Sequence, residues 1–282
     1  MNALLIVLAL QSPPPENLAI RFSAMTAVTG YEQAMTDSLL ALLPGSTRDR
    51  AGNVTLTLGR GAPKRLVFCP LDEVGYVVGN ITDDGYLLLR RVGGVPRAYA
   101  LFDQQLEGHR VTLFGRRGAV PGVVAVRSTH LTRGRPAATD PPFTVDNAYV
   151  DVGASSRADA LALGVNILTP LSLTKQPHRY GDRGGLLAAP VAGRRTGCAA
   201  LAAAALDKPR VRGTVIVAFT VQSLYATNAG LNSVKNLQGP FDEAREVTIP
   251  VKFEGTAVET VALADVETLV RDLVQWIGGG GR

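Results

Sequence analysis

The sequence predicts an α/β fold, helices layered on a sheet, interrupted by an inserted small β-barrel or sandwich. Three observations carry that prediction. Helical and extended patterns mix from Leu18 to Leu71 and again after residue 171, while closely spaced strands fill the stretch between. The run "GTVIVAFTVQ" (213–222) is continuously apolar, as suits a central strand covered on both faces. The last helical pattern sets Val266, Leu269, Val270, Leu273, Val274 and Ile277 on one face. The expected division is a leading segment 1–17, a discontinuous α/β domain of residues 18–72 and 171–282, and a β-barrel insert of residues 73–170.

Each element has a local cause. The opening "MNALLIVLALQSPPP" is apolar from Ala3 to Leu10, too short to span a bilayer, and fits the apolar core of a short signal peptide although no Lys or Arg precedes it. Export to the periplasm is therefore expected over a cytoplasmic location. Leu18 to Leu43 carries helical spacing with a joint at Gly30-Tyr31 and a stop at Pro44-Gly45. Strands are expected over 54–59, 65–71, 75–81, 85–92, 110–115, 122–126 and 148–153, with Gly and Asp-Gly at the joints. "ASSRADALALG" (154–164) reads as a Ser-capped short helix and "TGCAALAAAAL" (196–206) as an Ala-rich one. "EVTIPVKF" (246–253) reads as a further strand, and the Gly-Arg tail from Gly278 as disordered or a fragment end.

Composition narrows the function classes. With 282 residues, 46% hydrophobic and mean hydropathy +0.14, the chain is not disordered. Its net charge of +5 and pI near 9.4 arise from arginines scattered from Arg21 to Arg282 without a stripe or interleaved aromatics, which argues against nucleic acid. Cys69 and Cys198 lack CxxC or His-rich company and are expected as buried free thiols. "HRYGDRGG", with His178 and Asp182, is expected to be a loop, and His109 and His130 are expected to be structural. No Gly-x-Ser-x-Gly elbow occurs.

The segments "TAVTGYEQAM", "DRAGNVTLTLG", "PLDEVGYVVGNITDDGYLLLRRVGG", "LEGHRVTLFG", "VDVGASSRADALALGV", "TGCAALAAAAL", "VAFTVQ" and "IPVKFEGTAVETVALADVETLV" occur in the order found in one family. Together they resemble the TET, or glutamyl and deblocking aminopeptidase, family of di-zinc metallopeptidases, from about Leu18 to Ile277. The resemblance implies a zinc-aminopeptidase-like (phosphorylase/hydrolase-like) α/β sandwich, here shortened, with an inserted β-barrel dimerisation domain. It also implies zinc or cobalt held by His and carboxylate ligands, and a Glu general base.

At each motif position the expected donor is missing. The His-x-Asp-Glu motif reads Pro70-Leu71-Asp72-Glu73, so Asp72 and Glu73 survive without the ligand. The bridging Asp is Gly193, followed by Arg194, whose charge would repel zinc. The Gln-Glu-Glu motif reads Gln222-Ser223-Leu224, and the final His position is Gly255. Only 31 residues, 224–254, separate Ser223 from Gly255, so the remaining Asp ligand has no counterpart. Asp72 and Glu73 are read as vestigial and merely solvated. The expectation is a pseudoenzyme retained for assembly or binding, with no metal or other cofactor. Its partners are expected to be copies of itself, at least as a dimer, or an active family member, with no nucleic acid and no membrane span. The alternative is a hydrolase or aminopeptidase of the same family with an altered or misaligned site, using Asp72, Glu73 and Glu254.

Overall fold

The computed structural model describes residues 13–93, 103–125, 143–225 and 228–279. The apolar N-terminal run, His130 and residues 280–282 lie outside them. Helix α1 (Pro15–Ser23) starts on prolines, which need no intrahelical N–H there. Gly30, at φ 84°, then turns the chain toward α2 (Gln33–Leu42).

The main sheet has the order β1-β2-β12-β3-β13, formed by β1 (Thr47–Arg48), β2 (Val54–Gly59), β3 (Lys64–Pro70), β12 (Thr214–Thr220) and β13 (Glu243–Glu246). The apolar run expected as a central strand is β12, antiparallel to β2 and parallel to β3. On one face lie α1, α4 (Ala192–Leu206) and α6 (Leu263–Gly278). The alanines of α4 are almost wholly buried, because their small side chains let a helix lie close to its neighbours on several sides. On the other face, Leu231 and Val234 of α5 (Ala229–Gln238) cover Leu66, Phe68, Ile216 and Ala218.

The strands between form a closed barrel: β4 (Gly75–Ile81), β5 (Leu87–Val92), β6 (Arg110–Gly115), β7 (Gly118–Ala125), β8 (Tyr149–Asp151) and β9 (Pro170–Leu173), in the order β4-β5-β8-β7-β6-β9. Its interior is filled by alternate residues such as Val78, Leu87, Leu89, Val111, Leu113 and Val150. Helix α3 (Arg157–Ala162) is capped by the Ser156 hydroxyl accepting from the Asp159 N–H, as its sequence predicts. Strand β9 closes the barrel by pairing with both β4 and β6, so the barrel runs to Leu173.

Several expectations are corrected. The strand placed over 246–253 lies at 243–246; beyond Val247 the chain leaves the sheet, and Pro250 has no N–H to offer a ladder. "HRYGDRGG" is not a loop but the start of a hairpin in a small sheet of β10 (His178–Tyr180), β11 (Leu186–Ala188) and β14 (Thr260–Ala262). The cysteines are not free: Cys69 at the end of β3 is disulfide-bonded to Cys198 on α4, with Cα atoms 5.4 Å apart. Their separation of 129 positions measures chain, not space, because the whole barrel intervenes. Among the described residues no helix is long and apolar enough to cross a membrane.

Candidate functional site

Strands β3 and β12 run parallel and end together, with Pro70 opposite Thr220. The chain leaving both ends meets the first turn of α4 and the segment after β9. Crevices at the carboxyl ends of parallel strands are where α/β folds gather functional groups. Here the crevice is filled by the protein's own charges.

Asp72 and Glu73 are not solvated, as their sequence context suggested, but buried. Asp72 Oδ1 accepts from Ser223 Oγ at 2.6 Å, and Oδ2 from Thr29 Oγ1 at 2.7 Å and the Leu224 N–H at 3.0 Å. Arg194 Nη1 donates to the Asp72 carbonyl and to Ser223 Oγ, both at 2.8 Å, and lies 3.6 Å from Asp72 Oδ1. Glu73 Oε1 accepts from the Ala27 N–H at 3.0 Å and lies 3.1 Å from Arg195 Nη2, a charge contact without hydrogen-bond alignment. Lys175 Nζ donates to Glu73 Oε2, and Arg195 Nη1 donates to the Leu71 carbonyl.

A third carboxylate joins Gly193 and Gly255, two of the positions that the family resemblance sets against metal ligands. Glu259 accepts from the Gly193 N–H at 3.0 Å and the Gly255 N–H at 2.8 Å, tying the start of α4 to the 253–258 loop. Asp72 and Glu73 thus face three cations, Lys175, Arg194 and Arg195, while Glu259 is held by backbone N–H groups. Burial opposes charge on Glu73, but Lys175 and Arg195 outweigh it and lower its pKa. Burial lowers the pKa of Lys175 against the pull of Glu73, and raises that of Glu259 against the two backbone donors. Nearby, Glu32 Oε1 accepts from the Gly30 N–H at 3.0 Å and the Gln222 N–H at 2.9 Å. This holds Gln222 at φ 54°, in the left-handed region.

A zinc pair does not fit these residues. Pro70, Gly193, Leu224 and Gly255 carry no metal-binding side-chain atom. The Ser223 hydroxyl is spent on Asp72, both Asp72 oxygens are occupied, and a guanidinium stands beside them where a dication would be repelled. Among the described residues, no group of three or more His, Cys, Asp or Glu side chains comes together as a metal would require. His109 hydrogen-bonds its own turn at the Glu107 carbonyl, and His178 stacks on Tyr180. Glu254 has no hydrogen bond or ion pair with the cluster among the described residues. The family-like motifs contain Arg195 and Glu259 but give them no role, and Lys175 stands outside every motif; the available signal was charge balance, since buried carboxylates need cations.

The profile of the M42 glutamyl aminopeptidase family matches residues 52–230. SgcX of Escherichia coli K12 is 32% identical over 182 residues, which cover 62% of this chain and 46% of SgcX. The lysyl aminopeptidase of Pyrococcus furiosus is 34% identical over 149 residues, 50% of this chain and 40% of that protein. The matched stretch thus spans less than half the length of these relatives. In structure, the Pyrococcus horikoshii TET1 peptidase superposes with a TM-score of 0.79 at 20% identity, covering 94% of this chain and 99% of that one. That peptidase can assemble into a tetrahedron or a large octahedral shell. The aminopeptidase APDkam598 of Desulfurococcus kamchatkensis gives 0.78 at 16% identity, covering 94% of each chain. At these identities the structural likeness is one of fold.

Proposed function

We propose that this chain, which belongs to the M42 glutamyl aminopeptidase family, is a non-catalytic member retained for assembly or binding. The observation that carries the reading is Arg194, whose guanidinium bonds the Asp72 carbonyl and Ser223 and so sets a fixed cation in the crevice. Metal-assisted hydrolysis needs an open metal position and a base near it. Ser223, at the motif position of the general base, instead donates its proton to Asp72 and cannot take one from water near neutral pH.

The expected result is direct. Protein dialysed and analysed for metals carries no stoichiometric zinc or cobalt, and aminoacyl substrates are cleaved at the background rate with either metal added. Tight binding of one or two metals per chain with metal-dependent turnover would overturn the reading and restore the alternative, a hydrolase of the same family with an altered site.

Assembly is the second half of the proposal. The closed barrel is intact while the crevice has lost its donors, and the fold neighbour TET1 forms shells, which supports a homo-oligomer of at least two copies. Light scattering at micromolar concentration is expected to give at least a dimeric mass; a monomer alone would refute it. The disulfide between β3 and α4 suits an oxidising compartment and supports export.

A further inference from the structure

A cavity of about 480 Å³ opens beside the crevice, on the side of α2 and the β1–β2 turn. Its volume lies in the range of about 300–1,000 Å³ typical of small-molecule sites. Glu32, Arg48, Arg50, Gln222 and the part-exposed Tyr31 form its wall. Asp72, Glu73, Arg194 and Ser223 do not line it.

Two features of that wall lack partners. Glu32 is only 5% exposed, and while Oε1 is fixed by two backbone donors, its other oxygen accepts no hydrogen bond among the described residues. Arg48 gives one terminal nitrogen to Asp37 and is thereby charge-paired, and its Nε is buried out of a ligand's reach. Arg50 is exposed and makes no ion pair among the described residues. A half-partnered carboxylate and the unpaired Arg50 guanidinium therefore line one space. A lone cation would be repelled by the arginines and a lone anion by Glu32 and Asp49, which also lines the cavity. A ligand with both charges meets both demands.

We propose that this cavity binds a small zwitterion, a free α-amino acid or dipeptide, with its ammonium on Glu32 and its carboxylate on Arg50. The arginine fork suits a carboxylate, and the open oxygen of a held Glu suits an ammonium. The inference rests on the binding side of the function proposed above, but uses a site separate from the filled crevice.

Calorimetric titration of the full chain with L-alanine and L-alanyl-L-alanine tests it, beside the N-acetylated and C-amidated dipeptides. Saturable binding is expected for at least one free zwitterion. Blocking either terminus should weaken it by about tenfold or more, the loss of one charge-assisted hydrogen bond. Arg50→Ala, at an exposed position, should weaken it about as much without changing the melting temperature. Glu32→Gln should act on the ammonium, so that the N-acetylated peptide no longer differs from the free one. No saturable heat, equal binding of the blocked peptides, or full affinity in Arg50→Ala would each overturn the assignment. Absence of binding without cleavage leaves the non-catalytic reading standing. Cleavage of the dipeptide sinks that reading instead, while its binding through Arg50 would still support the pocket.

Discussion

Arg195→Met is expected to lower the unfolding free energy by about 3–5 kcal/mol, the cost of leaving one partner of a buried ion pair uncompensated. Arg195 is fully buried, bonds the Leu71 carbonyl and faces Glu73. Without it, the Leu71 carbonyl loses a donor and Glu73 keeps only Lys175 as a counter-charge. Because the two side chains act on each other, the double variant Glu73→Gln/Arg195→Met should lose less than the sum of the single losses. Additive losses in denaturant titrations would show that the pair is not coupled.

The same pair fixes a pH dependence. The folded pKa of Glu73 is lowered, so its stabilisation is present above the unfolded value of about 4.3 and is lost as pH falls through the folded pKa. Glu32 and Glu259 have raised pKa values, mainly through burial, and act with the opposite sign: their contribution is lost as pH rises from the unfolded value to the folded one. The informative quantity is therefore the difference between native protein and Glu73→Gln. That difference should shrink on acidification; curves that stay parallel would contradict the ion-pair account.

Reduction of Cys69–Cys198, or its replacement by the alanine pair Cys69→Ala/Cys198→Ala, should destabilise the chain by about 2–5 kcal/mol. The upper figure follows from the 129-residue separation, because a crosslink that closes a long loop removes much freedom from the unfolded chain. At about 2–4 °C per kcal/mol for a chain somewhat shorter than this one, melting should fall by several degrees or more. The bond joins β3 to α4 beneath the charged crevice, so its loss should also loosen Pro70 and the first turn of α4. Two titratable thiols in the untreated native protein, or a melting temperature indifferent to reductant, would contradict it.

These effects depend on residues that the chain keeps far apart, which is also why the sequence shows them poorly. β12 could be read from its unbroken apolar run, and α6 from its stripe, because both signals lie within one element. That Pro70 and Gly255 bring no side-chain donor is equally plain, since neither residue has one in any environment. What Asp72 does instead was not legible: Ser223 and Arg194 lie 151 and 122 positions away, and nothing local distinguishes a solvated strand-end carboxylate from a buried one. The three-residue strands β10, β11 and β14 are too short to show an alternation. Helix α5 carries no start signal in the sequence, because Asn228 before it sits at φ 44° and makes no side-chain cap.

One consequence concerns the barrel as a whole. β4 begins just after Glu73 and β9 ends just before Lys175, and the two strands pair with each other at Tyr76↔Leu171 and Val77↔Pro170. The chain therefore enters and leaves the barrel through one narrow doorway, and the Lys175–Glu73 contact is the latch across its sill. A stalk joined along its length by a ladder and at its base by a dry ion pair resists swinging, because any tilt must draw those charges apart in a medium of low polarity. The residues that fill the crevice thus also set the bearing of the barrel, and a change in either charge would be felt as a shift in that bearing.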